Sequence, residues 1–145
     1  MTVARWIVGA LMLVALAYFA LLRFGPSDVV ESRYDSLQAA LADHAWLPIR
    51  MPASAYGIRT ANNLDMNTSE GEFSYRPQDD PSFASRLADF DATKHLSVAG
   101  YADEAKTMQS NGYRVGVIEE TPSTWVFYCM QSKGFCKFRM GYERY

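Results

Sequence analysis

The sequence predicts an α+β protein: an N-terminal transmembrane helix, then an antiparallel sheet of about five strands, in two hairpin regions, with about three short helices on one face. Three observations predict this: an uncharged apolar run near the N-terminus, a hairpin pattern near the C-terminus, and interspersed helix and strand signals between them. The chain has 145 residues, 49% of them hydrophobic, and this length fits one globular domain with a single core.

The transmembrane prediction depends on seventeen consecutive residues that begin at Trp6, end at Leu22 and include no charged residue and no proline. A helix of this length spans about 25 Å, close to the roughly 30 Å of a bilayer core. Arg5 and Arg23 flank the run, and their long side chains can reach the headgroup region. We therefore expect a single-pass membrane protein.

The apolar run also predicts how the chain is divided. Residues 1–24 are expected to be a signal anchor, and residues 25–145 are expected to form a domain on the periplasmic side of the cell membrane. Two other interpretations remain open. The run could be a cleaved secretory signal, with Ala15 and Ala17 at the cleavage site, or it could be a buried core helix.

Charge is distributed unevenly along the chain. All 16 acidic residues lie at or after Asp28, and residues 24–145 carry a net charge of -4. A nucleic-acid-binding domain needs a clustered excess of lysine and arginine, so nucleic acid is not expected as a partner.

Alternating aromatic and β-branched residues from Thr124 to Tyr142 predict a β-hairpin. With a four-residue loop that ends at Gly134, the numbers of opposed residues add up to 265, and Cys129 lies opposite Cys136. Opposed residues in such a hairpin are close enough for a disulfide bond, which we expect in an oxidising compartment. The alternative is a pair of buried free cysteines.

The same register assigns the other hairpin residues to faces. The pairs predicted to share a face with the cysteines are Trp125 with Met140 and Phe127 with Phe138, and the pairs predicted on the other face are Val126 with Arg139 and Tyr128 with Lys137.

Between the two ends, apolar spacing and turn residues predict the remaining elements. They are a helix over about residues 28–45, strands over 58–66 and 72–76, a helix starting at Asp80 and running to about Phe90, a helix over 102–110 and a strand over 113–119.

No catalytic residues, metal site or cofactor is predicted. The sequence contains no nucleophile elbow, phosphate loop, dinucleotide fingerprint or zinc-protease motif. His44 and His95 are interpreted as solvated or structural. An alternative is a small envelope hydrolase that uses scattered carboxylates such as Asp65, Asp79 and Asp80.

Residues 46–73 carry a distinctive sequence pattern, in which Trp46-Leu47-Pro48 is followed by Pro52-x-Ser54-Ala55-x-x-Ile58, Asp65-x-Asn67 and Gly71-x-Phe73. The pattern resembles small bacterial membrane-anchored envelope proteins. The resemblance implies an anchored domain or a lipoprotein domain without an assigned activity, and it assigns no functional residue.

We therefore expect a non-enzymatic binding or accessory domain of the cell envelope, similar in role to an inhibitor or an immunity factor. Its expected partners are the membrane and an envelope protein, and no small-molecule substrate is identified. A further alternative is a subunit that acts through its transmembrane helix, packing at Gly9 and Ala10 against a larger complex.

Overall fold

The computed structural model describes residues 12–16, 18, 28–48 and 50–142. In these residues, seven antiparallel strands form one sheet with the order β1-β2-β3-β7-β6-β5-β4. The strands are β1 (Val29–Ser36), β2 (Tyr56–Asn63), β3 (Thr68–Ser74), β4 (Ala88–Asp89), β5 (Arg114–Glu120), β6 (Ser123–Met130) and β7 (Phe135–Tyr142). The helices that follow residue 28 are α1 (Leu37–Ala42), α2 (Asp80–Ala84) and α3 (Ala102–Ser110), with 3-10 turns at Pro77–Asp79, Leu96–Tyr101 and Gln131–Lys133.

The prediction of about five strands is wrong, and the largest error is at β1. The spacing of Val30, Tyr34 and Leu37 predicts a helix, but residues 29–36 form a strand. In β1, the charged residues Glu31, Arg33 and Asp35 lie on one face and Val30 and Tyr34 on the other, so the segment also alternates with the period of a strand. Ser36 then caps α1, accepting a hydrogen bond from the amide of Ala39 at 3.1 Å.

The boundaries of the other strands differ from the predicted ones because polar residues lie inside the strands. Residues 67–71 were predicted as a loop, yet β3 begins at Thr68 and the turn comes earlier, at residues 64–67. Ser69 is buried and donates a hydrogen bond to Asn62 at 2.6 Å, which satisfies both side chains inside the sheet.

The helix predicted from Asp80 to about Phe90 is shorter in the structure. It ends at Ala84, and Leu87 is followed by the two-residue strand β4, which pairs with β5.

The helices lie on both faces of the sheet, whereas the sequence predicts them on one face. α1 and α2 contribute to one apolar cluster, and α3 contributes to another on the opposite face.

From Ala102 onward the structure agrees closely with its prediction. β6 and β7 pair in the predicted register throughout, with Cys129 opposite Cys136. Gly134 ends the turn with a φ of 55°. Helix α3 has the predicted bounds, and β5 differs from its prediction by one residue at each end.

The predicted transmembrane helix is not found among the residues that the structure describes. No helix of the described residues is long and apolar enough to cross a membrane. Residues 12–16 and 18 are helical, and the rest of the run predicted from Trp6 to Leu22 lies outside the described residues. The fold in the described region is a seven-stranded antiparallel sheet with few helices.

Two apolar clusters cover the sheet unequally. The main cluster contains Phe73, Phe127 and Phe138 and is closed by α1, α2 and the connection after α1. The second cluster packs Val98 and Ala105 against β5 and β6, and the 3-10 turn that carries Val98 also contacts β7. Because α3 covers only this half of its face, no helix of the described residues lies on the same face of β1, β2 and β3.

Candidate functional site

The uncovered part of the sheet forms a groove beside α3. Its cavity has a volume of about 280 Å³ and adjoins a second cavity of about 220 Å³, with Ala61 and Glu70 lining both. We call this region, the charged residues and the sheet surface beneath them, the open groove. Eight charged residues line its larger cavity: Glu31, Arg33, Arg59, Glu70, Glu72, Glu104, Lys137 and Arg139.

The strand register arranges these charges in two rows across the sheet, because opposed residues in antiparallel strands point to the same face. The first row runs through Arg33, Arg59, Glu72 and Lys137 in β1, β2, β3 and β7. The second row runs through Glu31, Ala61, Glu70 and Arg139 in the same strands.

Arg139 is held at the boundary between the groove and α3. Its Nη2 lies 3.1 Å from Glu104 Oε1, and its Nε donates to Glu104 Oε2 at 3.2 Å. It also forms an ion pair with Glu70, directly opposite on β3. This fork geometry fixes the guanidinium, and partial burial lowers its pKa from an already high value, so it stays charged.

Glu104 connects the wall of the groove to the second cluster. Besides binding Arg139, it accepts a hydrogen bond from the buried Tyr128 hydroxyl at 3.4 Å. Burial, followed by the charge of Glu104, raises the pKa of Tyr128, so this hydroxyl remains a donor at neutral pH. Glu104 therefore holds α3 against the sheet and defines one side of the groove.

The other row is less constrained. Arg59 and Glu72 lie 3.4 Å apart, with 61% of the Arg59 side chain exposed, so this ion pair stabilises the fold little. None of the described carboxylates forms an ion pair with Lys137, which lies in register between Glu72 and Tyr128. Arg59 and Lys137 can therefore donate hydrogen bonds to carboxylate or carbonyl oxygens of a bound molecule.

The cysteines lie away from the groove. Cys129 and Cys136 are bonded to each other and are 2% and 0% exposed in the main cluster. The predicted disulfide is confirmed. It crosslinks the β6–β7 hairpin on the face opposite Arg139 and Lys137.

The carboxylates considered for a hydrolase interact with different neighbours. Asp80 accepts a hydrogen bond from Tyr75, and Asp79 forms an ion pair with Arg76 at 3.7 Å. Asp65 interacts with Asp28, whose hydrogen bond and charge raise the pKa of Asp65. The structure does not bring the three together around one site.

The two histidines also lie outside the groove. His95 is buried; its Nδ1 accepts a hydrogen bond from the Asp91 amide at 3.1 Å, and its Nε2 lies 3.4 Å from Glu119. His44 follows α1 with a φ of 53°. Within the described residues, no three histidine, cysteine or carboxylate side chains are grouped as metal ligands.

The groove as a whole was not predicted from the sequence, but two of its charged residues were assigned to the correct face. The hairpin register correctly puts Arg139 and Lys137 on the face opposite the cysteines. Glu31 and Arg33 were missed because β1 was interpreted as a helix, although their alternation with Val30 and Tyr34 was the available signal.

Comparison with known families adds one observation about this region. The family model of the YbbD head domain matches residues 28–74. This segment is about a third of the chain and comprises β1, α1, β2 and β3, which supply three of the four strands under the groove. No match to the chain was found among curated proteins or among solved structures.

Proposed function

We propose that this chain contains a non-enzymatic binding domain that works outside the cytoplasm and receives a segment of an envelope protein in the open groove. The observation that carries the proposal is the groove itself: one half of a sheet face is left uncovered beside α3 and is lined by fixed charges. In a domain of this size, such a concave polar surface is the feature that best fits recognition of a partner.

The chemistry of the groove favours a segment that carries carboxylates. Arg139 is already paired with both Glu70 and Glu104, whereas Lys137 has no ion pair with a described residue and Arg59 is only weakly paired. A bound carboxylate near Lys137 and Arg59 would form charge-assisted hydrogen bonds without breaking the Arg139 cluster. The groove runs across four strands of the sheet, and an extended chain fits such a surface.

The proposed location is supported by the disulfide and by the resemblance to bacterial envelope proteins. Disulfides persist in oxidising compartments such as the periplasm and are rare in the cytosol. The residues that carry the resemblance, 46–73, lie within the segment that matches the YbbD head domain.

Site-specific photocrosslinking in intact cells tests the groove. A photoreactive residue at Ala61, which lines both cavities, should give a defined adduct with a partner protein. The matched control is the same residue at Lys106 on α3, whose side chain is 78% exposed and does not line the groove. The photoreactive residue at the position of Lys106 should give no such adduct.

Charge reversal then connects the adduct to the proposed chemistry. Lys137→Glu should reduce the Ala61 adduct at least about tenfold, because it places a repulsive charge against the acidic segment. Lys133→Glu, on the exposed turn between β6 and β7, makes the same change in net charge outside the groove and should leave the adduct intact. An adduct that is equal at Ala61 and Lys106, or unaffected by Lys137→Glu, would reject this function.

A further inference from the structure

Strand β1 is a long edge strand with a regular backbone, and its charged side chains lie on one face. In the part of the chain that the structure describes, β1 ends the sheet at one side and pairs only with β2. It has eight residues and no proline or lysine, and its pairing with β2 is regular from Val29 to Tyr34. Such an edge can add a further strand.

The hydrogen-bond pattern identifies which backbone groups face the free edge. The Leu64 amide donates to the Asp28 carbonyl at 3.1 Å, so residues 28 and 64 form a hydrogen-bonded pair. These pairs alternate along an antiparallel ladder, so Val30 and Ser32 direct their backbone groups toward β2. Glu31 and Arg33 direct theirs outward, and their side chains lie on the groove face.

Charge and the length of overlap together select one way for two copies of β1 to pair. A two-fold axis between antiparallel strands can place Glu31 opposite Glu31, Arg33 opposite Arg33, Arg33 opposite Asp35, or Glu31 opposite Arg33. The first two arrangements bring like charges together, and the Arg33–Asp35 arrangement overlaps only residues 32–36 of β1. Glu31 opposite Arg33 forms two symmetric ion pairs, overlaps residues 29–35 and places Ser32 on the axis. Neither Glu31 nor Arg33 forms an ion pair with a described residue.

The same register also matches the other face of the strand. It places Val30 opposite Tyr34 of the second copy, at a position where side chains of antiparallel strands approach closely. Val30 is 48% exposed, and Tyr34 packs partly against the main cluster. A pair of a β-branched and an aromatic residue stabilises neighbouring strands. One register therefore satisfies the charges on one face and the apolar residues on the other.

We propose that two copies of this chain associate through β1, antiparallel, with Glu31 of each copy paired to Arg33 of the other. The association joins the two sheets into one and places the two open grooves side by side on the same surface. Glu31 and Arg33 also line the open groove, so the tests keep the two proposals apart: the groove test depends on Ala61 in β2 and Lys137 in β7, and the dimer test depends on Glu31 and Arg33 in β1.

Sedimentation of the full-length chain in a mild non-ionic detergent tests the proposal. A strand pair buries less surface than a standard interface, so we expect a reversible dimer with a dissociation constant in roughly the micromolar range. Glu31→Arg alone and Arg33→Glu alone should each weaken the dimer at least about tenfold, because each replaces two ion pairs with two repulsive contacts. Lys133→Glu should leave it unchanged.

Mixing the variants keeps the test informative. An equimolar mixture of Glu31→Arg and Arg33→Glu chains should form a heterodimer, since each copy then faces opposite charges. The double variant Glu31→Arg with Arg33→Glu should dimerise as the original chain does. A chain that stays monomeric at millimolar concentration, or a dimer that is insensitive to single charge reversals, would overturn the proposal, as would failure of the mixture to associate.

Discussion

At the residue scale, Tyr75 connects the main cluster to the start of α2. Its side chain is 1% exposed, and its ring lies edge-on to Phe83 with centroids 5.9 Å apart. Its hydroxyl donates to Asp80 Oδ1 at 2.5 Å. A buried phenol can be tolerated here because its polar atom reaches a carboxylate in the first turn of α2.

Replacing Tyr75 with phenylalanine should therefore destabilise the domain. Tyr75→Phe keeps the ring but removes the hydrogen bond to a charged group, so we expect the free energy of unfolding to fall by about 1.5–3 kcal/mol at pH 7. Urea denaturation followed by circular dichroism measures it. Tyr56→Phe, at a side chain that is 51% exposed, should change it by less than about 0.5 kcal/mol.

The effect of this substitution should depend on pH. Burial, followed by the hydrogen bond to Asp80 and its charge, raises the pKa of Tyr75 above its usual 10.0. Above pH 10.0 the Tyr75 hydroxyl loses its proton in the unfolded chain but keeps it in the folded chain. The free energy of unfolding of the original chain therefore falls by up to about 1.4 kcal/mol per pH unit. Phenylalanine does not ionise, so the stability difference between the two proteins should narrow from pH 9 to 11. A constant difference would contradict this.

At the scale of elements, the β6–β7 turn is held against the segment that follows β3. The Tyr75 amide donates to the Gly134 carbonyl at 2.7 Å, and Gly134 has a φ of 55°. A Cβ at Gly134 would meet the Tyr75 carbonyl oxygen and would lie 3.1 Å from a ring carbon of Pro77. Both the backbone conformation and the close approach therefore require glycine.

Gly134→Ala should consequently lower the free energy of unfolding by more than about 2 kcal/mol, since it adds backbone strain to a steric conflict. Gly100→Ala provides the comparison. Gly100 lies in a 3-10 turn with nothing within 4 Å of an added Cβ, so this variant should stay within about 0.5 kcal/mol of the original chain. Equal losses in the two variants, measured by urea denaturation, would show that the turn does not depend on the close approach.

At the scale of the whole molecule, β6 is the centre of stability. Six of its eight residues are buried, because the main cluster covers one face and α3 covers the other. β1 and β4 are the edges of the sheet, and β4 has only two residues. Local opening should therefore release the edges well before the centre.

Hydrogen exchange measured by mass spectrometry should reveal this order. We expect the amides of β6 to exchange slowest, at the rate set by global unfolding, and those of β4 to exchange much faster. If β4 were protected as strongly as β6, the sheet would be opening as one unit, and the two-cluster description of its stability would be wrong.

The sequence by itself determined the fold from Ala102 onward. The β6–β7 register and the disulfide between Cys129 and Cys136 follow from alternation around a turn that ends at Gly134. Helix α3 ends at Ser110, before the helix-ending signal of Asn111 and Gly112. These features depend on residues close together in the chain, so local periodicity and turn chemistry suffice to predict them.

Only the tertiary structure decided the identity of β1 and the existence of the open groove. Val30 and Tyr34 fit a helix stripe as well as a strand face, and pairing with β2 selects the strand. The groove joins Glu70, Glu104 and Arg139 from distant parts of the chain, and it exists because α3 covers only part of one face. Such long-range pairing is set by packing, which the sequence pattern of a single segment does not encode.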